Sequence, residues 1–426
     1  YDWGILVPDG NPFHKPPLTS IIFGFFSNIL NDPIASARLF TIIINLFGLL
    51  LIFIITKSLI TCLFFTFSYF FLASSIIIQT DVLIFFGFLF LCIAQNINTR
   101  NYSYHLFIFI GFFILWTTKI ESALIIFFCH IIYYFIIKKK KLILNLFIIN
   151  LLSIFLTFVL VFFLSQFTNE SFIKNILNIF YPIERILGQQ ADSLIFNFSN
   201  YIYSITTILA KLFEYGFLLE TLILSSFIIF IIKKKKYQIS EKLLFYIICF
   251  FIPTTIYLLV GYSGMQFPRY FIFPFYSLLI VFGILSNNFE NEKKYKLSNF
   301  LIVLLLFLNY YKFYTLIKNQ GNIIYQESGK KEIAFYLKDN QINGSLIAYE
   351  NFSGYLKNNM YLWEVIKGYE INKKKVLKNL DKIDAVILKI GDSNNSELKF
   401  ILETYQKNYK LNKIEFNNYF LWIKKS

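Results

Sequence analysis

The side chains of this chain that could do chemistry stand near the ends of long apolar runs or in the long polar segment between two of them. Eight of them form the candidate set: His14, Lys15, Asp81, Lys119, Glu184, Arg185, Arg269 and Tyr270. Ionisable groups placed so close to hydrocarbon are costly, which makes each one a site candidate. Lysine and arginine beside carboxylates suit a reaction that releases a lipid phosphate. The cations stabilise the charge growing on the phosphate, and a carboxylate accepts the proton of an acceptor hydroxyl.

Each candidate also has a plainer structural interpretation. Asp81, in a tight turn between two apolar segments, could simply cap a helix. The stem of Lys119 could run along apolar surface with its ammonium group in water. Glu184–Arg185 could be an ordinary surface pair, and Arg269 could contact lipid phosphates without specificity. The stretch His14–Pro17 could be a stiff loop before a helix, since proline suits a first helical turn. The sequence leaves these alternatives open.

The composition indicates the setting in which these residues act. Hydrophobic residues make up 57% of the chain and charged residues 15%, a balance typical of a polytopic α-helical membrane protein. The net charge of +15 could suggest a nucleic-acid partner. Much of it, however, lies in Lys138–Lys141 and Lys233–Lys236, which each end an apolar run and are typical of anchors on the inner membrane side. We therefore expect a lipid bilayer as a partner and no nucleic acid.

The apolar runs predict ten membrane spans after a short interfacial helix at 18–31. These spans are 35–56, 58–78, 82–97, 104–117, 121–137, 142–165, 216–232, 243–261, 270–286 and 298–316. Placing residues 1–34 outside puts most of the basic residues that precede the last span, including both tetralysine runs, on the inner side. That orientation brings all the candidate residues to the outer side.

Three domains follow from this pattern. Residues 1–34 form an outer loop with the interfacial helix, and residues 35–316 form the transmembrane domain with a long outer loop at 166–215. Residues 317–426 are rich in Lys, Asn and Tyr and predict a small outer α/β domain. Within it we expect strands at Ser345–Tyr349, Ala385–Lys389 and Tyr419–Ile423, and helices at Lys330–Lys338 and Glu397–Tyr405.

The order of the motifs resembles the membrane glycosyltransferases of the GT-C fold. It is most similar to the group that holds the protein O-mannosyltransferases and the aminoarabinose transferases of lipid A. The stretches that carry the resemblance are Asp2-Trp3-Gly4, His14-Lys15-Pro16-Pro17-Leu18, Ala37-Arg38-Leu39, Thr80-Asp81, Thr118-Lys119 and Pro268-Arg269-Tyr270-Phe271 with Pro274. Together they cover essentially the whole chain.

The resemblance implies an inverting transfer of a sugar from a polyprenyl-phosphate donor to a lipid, protein or polysaccharide acceptor. The reaction would take place on the outer face of the cytoplasmic membrane. Lys15, Arg269 and Tyr270 would contact the donor phosphate, and Asp81 would be a supporting acid. The family's principal acid and first span would lie upstream of Tyr1.

The resemblance leaves the other roles less defined. His14, Lys119, Glu184 and Arg185 would be substrate contacts. No cofactor is implied with certainty, although a divalent metal ion is allowed, with Glu184 and His14 as its candidates. Two other function classes stay open: a flippase or carrier of lipid-linked glycans, and an oligosaccharide polymerase or ligase.

Overall fold

The computed structural model describes the chain in separate stretches. The described residues are 18–19, 21–22, 25–26, 33–66, 68, 71, 81–166, 172–173, 176, 205–206, 209, 221, 224–226, 228–229, 240–260, 271–290, 311, 329–348, 360–362, 376–389, 396–417 and 419–424. The chain forms two compact units. One comprises Lys15–Phe23 and Ala35–Tyr314, and the other comprises Tyr1–His14, Gly24–Ile34 and Thr315–Ser426.

The first unit is a helix bundle. Its long described helices are α1 (Pro33–Thr56), α2 (Leu59–Thr66), α3 (Asp81–Ala94), α4 (Tyr102–Thr118), α5 (Ile120–Ile136), α6 (Lys140–Ser165), α7 (Glu241–Val260) and α8 (Ile272–Glu290). Their boundaries agree with the predicted spans to within a few residues, except that α2 is described only as far as Thr66. The predicted spans 216–232 and 298–316 lie largely outside the described residues, and so does most of the loop 166–215.

The helices alternate in direction, so their ends fall into two groups. At the end of the bundle where α1 and α5 finish, Lys139 forms an ion pair with Glu241 at 2.7 Å. This pair joins the end of α5 to the start of α7. At the same end Ser58 and Ser286 lie 3.2 Å apart, joining the turn after α1 to the last part of α8. We call this end, which carries Lys57, Lys138–Lys141 and Lys242, the basic end.

On the long helices, polar side chains are buried and apolar side chains are exposed, the reverse of the distribution in a soluble protein. On α6 the buried face carries Asn150, Ser153, Thr157 and Ser165. The exposed face of α6 is apolar and includes Leu144, Phe147, Ile148, Leu151, Leu152, Phe155, Phe162 and Phe163. By contrast, every side chain from Phe271 to Gly283 in and before α8 is buried, so α8 is a central helix.

Two described helical stretches are long and apolar enough to cross a membrane: Arg38–Thr56 and Lys140–Ser165. The apolar stretches of α3, α4, α5 and α8 have 10–17 residues. A helix of 17 residues is about 25 Å long, against a hydrocarbon core of about 30 Å. The structure therefore bears out a predominantly helical chain with two membrane-capable helices, and the ten-span arrangement stays a proposal.

The C-terminal unit contains a five-stranded mixed sheet, as the expected α/β domain requires. A helix over 329–339, named α9, precedes the strands. The strands are β1 (Ser345–Ala348), β2 (Met360–Leu362), β3 (Ile383–Lys389), β4 (Leu411–Phe416) and β5 (Tyr419–Lys424), with α10 (Ser396–Asn408) between β3 and β4. Their order is β2-β1-β3-β5-β4, with β1 parallel to both β2 and β3, and β5 antiparallel to both β3 and β4.

Both faces of this sheet are covered. Ile333 and Leu337 of α9 pack with Leu346 and Ile387 on one face. Ile401 and Tyr405 of α10 pack with the other face. Because β3 is buried on both sides, it forms a nearly continuous apolar run, as is typical of a central strand. The strands β2 and β4, which the sequence did not predict, are the two edges.

We expect Gly344→Ala to destabilise the C-terminal unit by about 2 kcal/mol or more. The Gly344 N–H donates to Asp384 Oδ2 at 2.8 Å, and a Cβ at position 344 would lie 2.0 Å from the same oxygen. The midpoint temperature of protease resistance measures the effect. Asp384→Ala alone should cost about 1 kcal/mol and should remove the clash, so the double variant should lose less than the sum. Strictly additive losses would contradict this contact.

Tyr405 should make the C-terminal unit sensitive to alkaline pH. Burial, and to a lesser degree the nearby Asp384 and Tyr409, raises the pKa of its hydroxyl above the usual value. The unfolded chain then loses this proton at a lower pH than the folded chain, so stability should fall as the pH rises above about 10.

Tyr405→Phe separates two effects of this hydroxyl. At neutral pH the variant should be less stable by about 1 kcal/mol, because the bond from the Tyr405 hydroxyl to the Ile383 carbonyl is lost. Between pH 10 and 11.5 its unfolding midpoint should fall less steeply than that of the unmodified chain. Parallel pH profiles of the two proteins would rule out the titration of Tyr405 as the cause.

Candidate functional site

The first part of the candidate site is positioned by the packing of α3 against α4. Their backbones meet at two glycines: a Cβ on Gly87 would lie 3.1 Å from the Gly111 carbonyl oxygen, and one on Gly111 would lie 2.9 Å from that of Gly87. From this contact the antiparallel helices can be followed residue by residue. Asp81, six residues before Gly87, is level with Thr117, six residues after Gly111. Asp81 is the first residue of α3, at the end of the bundle opposite the basic end.

The second part is the junction between α4 and α5. A single residue, Lys119, separates the two helices, with extended backbone angles of φ −158° and ψ 106°. Its N–H donates to the Leu115 carbonyl at 2.8 Å, and its carbonyl accepts the N–H of Ala123 at 3.1 Å. Lys119 therefore ends one helix and begins the next, about level with the start of α3.

This junction has the properties of an anion site. The first N–H groups of α5, beginning at Ile120, precede the first bond within the helix, so they point out of its positive end. Beside them Thr118 is buried, and its hydroxyl has no hydrogen-bond partner among the described residues. Lys119 adds a full positive charge. Together these groups could bind a phosphate oxygen, while Glu121 in the first turn is the nearest carboxylate along the chain.

Of the eight candidate residues, the structure describes the side chain of one. Lys119 is half-buried at the junction, and Asp81 is described as the first residue of α3 through its backbone. His14, Lys15, Glu184, Arg185, Arg269 and Tyr270 lie outside the described residues. Arg269 and Tyr270 directly precede Phe271, which lies at the same end of the bundle as Asp81 and Lys119. Within the described stretches, no three His, Cys, Asp or Glu side chains are placed to hold a metal ion.

The sequence did not predict a polar cluster near the basic end. Gln95 follows α3, and its buried side chain lies close to the hydroxyls of Tyr104 on α4 and Tyr134 on α5, although its Nε2 has no hydrogen-bond partner among the described residues. Those two hydroxyls also contact each other. Next to Tyr134, the ring of His130 is completely buried, and its Nδ1 donates to the Ile126 carbonyl at 3.0 Å. The cluster joins three helices, and its only sequence signal is polar side chains close to apolar helix ends.

Three thiols lie close to this cluster. Cys129 of α5 and Cys92 of α3 both lie close to Cys249 of α7. All three are buried and free, which agrees with packing rather than chemistry. The polar and thiol groups at the basic end therefore hold helices together and are distinct from the candidate site at the opposite end.

Comparisons with protein-family models, with characterised proteins and with solved structures found no match to this chain. Support for a function therefore comes from the residues of the chain itself.

A hydrogen bond just below the site should hold α4 in place. Trp116 Nε1 donates to Asn150 Oδ1 at 2.9 Å, and both residues are buried. We expect Asn150→Leu to lower the free energy of unfolding by about 1 kcal/mol, because the indole N–H loses its partner. Trp116→Phe should cost more, since a large side chain shrinks. In a double-mutant cycle followed by thermal unfolding in detergent, the two should show a coupling of about 0.5–1.5 kcal/mol. A coupling near zero would contradict the bond.

Proposed function

We propose that this chain is a membrane glycosyltransferase that moves a sugar from a polyprenyl-phosphate donor to an acceptor outside the membrane. The observation that carries the proposal is the register of α3 and α4 at Gly87 and Gly111. That register supports a site in which Asp81 and the cationic α4–α5 junction lie at the same end of the bundle. An acid beside a phosphate-binding cation is the pairing that this transfer requires.

The reversed polarity of the bundle supports a membrane location for all its helices. Apolar side chains such as Leu151 and Phe155 are exposed on α6, whereas Asn150 and Thr157 are buried. An exposed apolar surface of this kind is far larger than soluble proteins carry. The lysines of the basic end support an orientation in which that end is cytoplasmic, because basic residues are retained on the inner side. The candidate site then faces the outside.

The chemistry can be assigned to groups of this chain. The α5 N–H groups, the Thr118 hydroxyl and Lys119 hold the donor phosphate, together with Lys15, Arg269 and Tyr270. The acceptor oxygen attacks the anomeric carbon of the sugar from the face opposite the phosphate, and the bond from that carbon to the phosphate oxygen breaks. The configuration inverts, and the phosphate leaves with one more negative charge, which the cations stabilise.

The proton of the acceptor passes to a carboxylate. In the family that the chain resembles a separate principal acid takes this proton, and Asp81 supports it by orienting the acceptor or the sugar hydroxyls. Glu184 and Arg185 complete the sugar and acceptor contacts. A divalent metal ion is compatible with this scheme, and the scheme does not depend on one.

Charge-removing changes at the site should abolish transfer while the protein stays folded. We expect Asp81→Asn and Lys119→Gln each to lower kcat/KM at least 100-fold, which corresponds to about 2.7 kcal/mol of transition-state stabilisation. The assay follows a radiolabelled sugar from polyprenyl phosphate to membrane acceptors. Lys141→Gln at the basic end, which is exposed, is the matched control and should keep full activity.

Two results would decide against the proposal. One is unaltered transfer in both Asp81→Asn and Lys119→Gln. The other is movement of the labelled lipid across liposomes, with no sugar transferred by the unmodified chain, which would favour a flippase.

A further inference from the structure

An apolar cleft opens beside α7 and α8. It has a volume of about 360 Å³ and lies between these two helices and the helical residues Ser225, Ile228 and Ile229. Ser225, Leu243, Tyr246, Phe251 and Leu285 are among its lining residues. Phe251 is exposed at its rim. Because a cavity of about 150 Å³ is enough for benzene, this cleft has room for a chain of roughly a dozen carbons.

The length and position of the cleft match one membrane leaflet. On α7 it runs from Leu243 to Phe251, which is about 12 Å along the helix axis. Half of the hydrocarbon core is about 15 Å thick. Leu243 is the third residue of α7, so the cleft begins almost at the basic end and stops near the middle of the bundle.

Positive charge stands where a lipid headgroup would lie. Lys242, next to Leu243, is exposed, and its Nζ lies 3.4 Å from Asn96 Oδ1. Lys139 is close by, although its charge is already paired with Glu241. Such clusters attract anionic headgroups.

We propose that the cleft holds one acyl chain of an anionic phospholipid from the leaflet at the basic end, with its headgroup at Lys242. This inference rests on the membrane location given above, and it does not need the transferase activity. The donor lipid is a different occupant, because its phosphate would bind at the opposite end of the bundle, at Lys119. The bound phospholipid would hold α7 against α8, the helix that begins beside the candidate site.

Native mass spectrometry of the full chain, released from detergent, tests the proposal. The probes are dioleoyl phosphatidylglycerol and dioleoyl phosphatidylcholine at equal concentrations. We expect one retained phosphatidylglycerol per chain, preferred at least fivefold over phosphatidylcholine. Ser225→Phe should fill the cleft and lower retention of both lipids at least fivefold. Its control, Leu151→Phe, changes an exposed position on α6 and should leave retention unchanged.

Lys242→Gln separates the headgroup from the chain. It should reduce the preference for phosphatidylglycerol at least threefold and leave phosphatidylcholine retention as it was, with Lys141→Gln as the matched control. Equal retention in Ser225→Phe and the unmodified chain would overturn the proposal. So would displacement of the phospholipid by equimolar polyprenyl phosphate, which would assign the cleft to the donor.

The membrane location is checked separately by extraction at alkaline carbonate. Release of the chain from membranes would contradict both proposals. A chain that stays in membranes and retains phosphatidylglycerol, but transfers no sugar, would fail only the transferase.

Discussion

The close contact of Gly87 and Gly111 is the constraint on which the site geometry depends. Any side chain at either position would push into the backbone of the other helix, so the two helices can approach this closely only with glycine there. The contact fixes their register. One consequence is that the start of α3 lies level with the last turn of α4. The other is that Gln95, after α3, reaches Tyr104 at the start of α4. A single contact in the middle thus aligns both ends.

In the membrane location proposed above, hydrogen bonds between helices replace the hydrophobic effect in holding this bundle together. In hydrocarbon, apolar side chains gain little by leaving the lipid, so close packing and buried polar pairs provide the association. The bonds Trp116–Asn150 and Ser58–Ser286 each join two different helical segments. The first bond lies towards the end that carries the candidate site, and the second lies at the basic end. The central helix α8 is surrounded on all sides, so its first residues are held firmly at the end of the bundle where Asp81 and Lys119 lie.

Long apolar runs made the helices predictable, because their length and composition are local properties. The same holds for the buried strand β3. The edge strand β4 was missed because Lys413 and Glu415 alternate with apolar residues and bury little; charged edges of this kind also discourage pairing with other chains. The convergence of Asp81 and Lys119 could be predicted from the alternation of spans. The pairing of Trp116 with Asn150 could not, because which helices become neighbours is set by long-range packing. The same applies to the Gln95–Tyr104–Tyr134 cluster.

Lysine residues end two of the packed helices, α1 and α5, at the basic end of the bundle. Lys57 and Lys138 adopt left-handed backbone angles, with φ of 52° and 57°. Lys57 directly follows α1, and Lys138 is the second residue after α5. At Lys138 the chain closes α5 with bonds from Lys138 N–H to the Phe135 carbonyl and from Lys139 N–H to the Tyr134 carbonyl. Glycine suits this position best, and another residue costs about 1 kcal/mol.

The charge offers a compensating gain at these two positions. A lysine there places a positive charge against the negative end of the helix dipole, and in the proposed orientation it would also keep that end on the inner side of the membrane. Because the helices alternate, fixing α1 and α5 in this way fixes the direction of α3 and α8 as well. In the membrane location proposed above, the lysines at one end would therefore set which side of the membrane Asp81 and Lys119 face at the other.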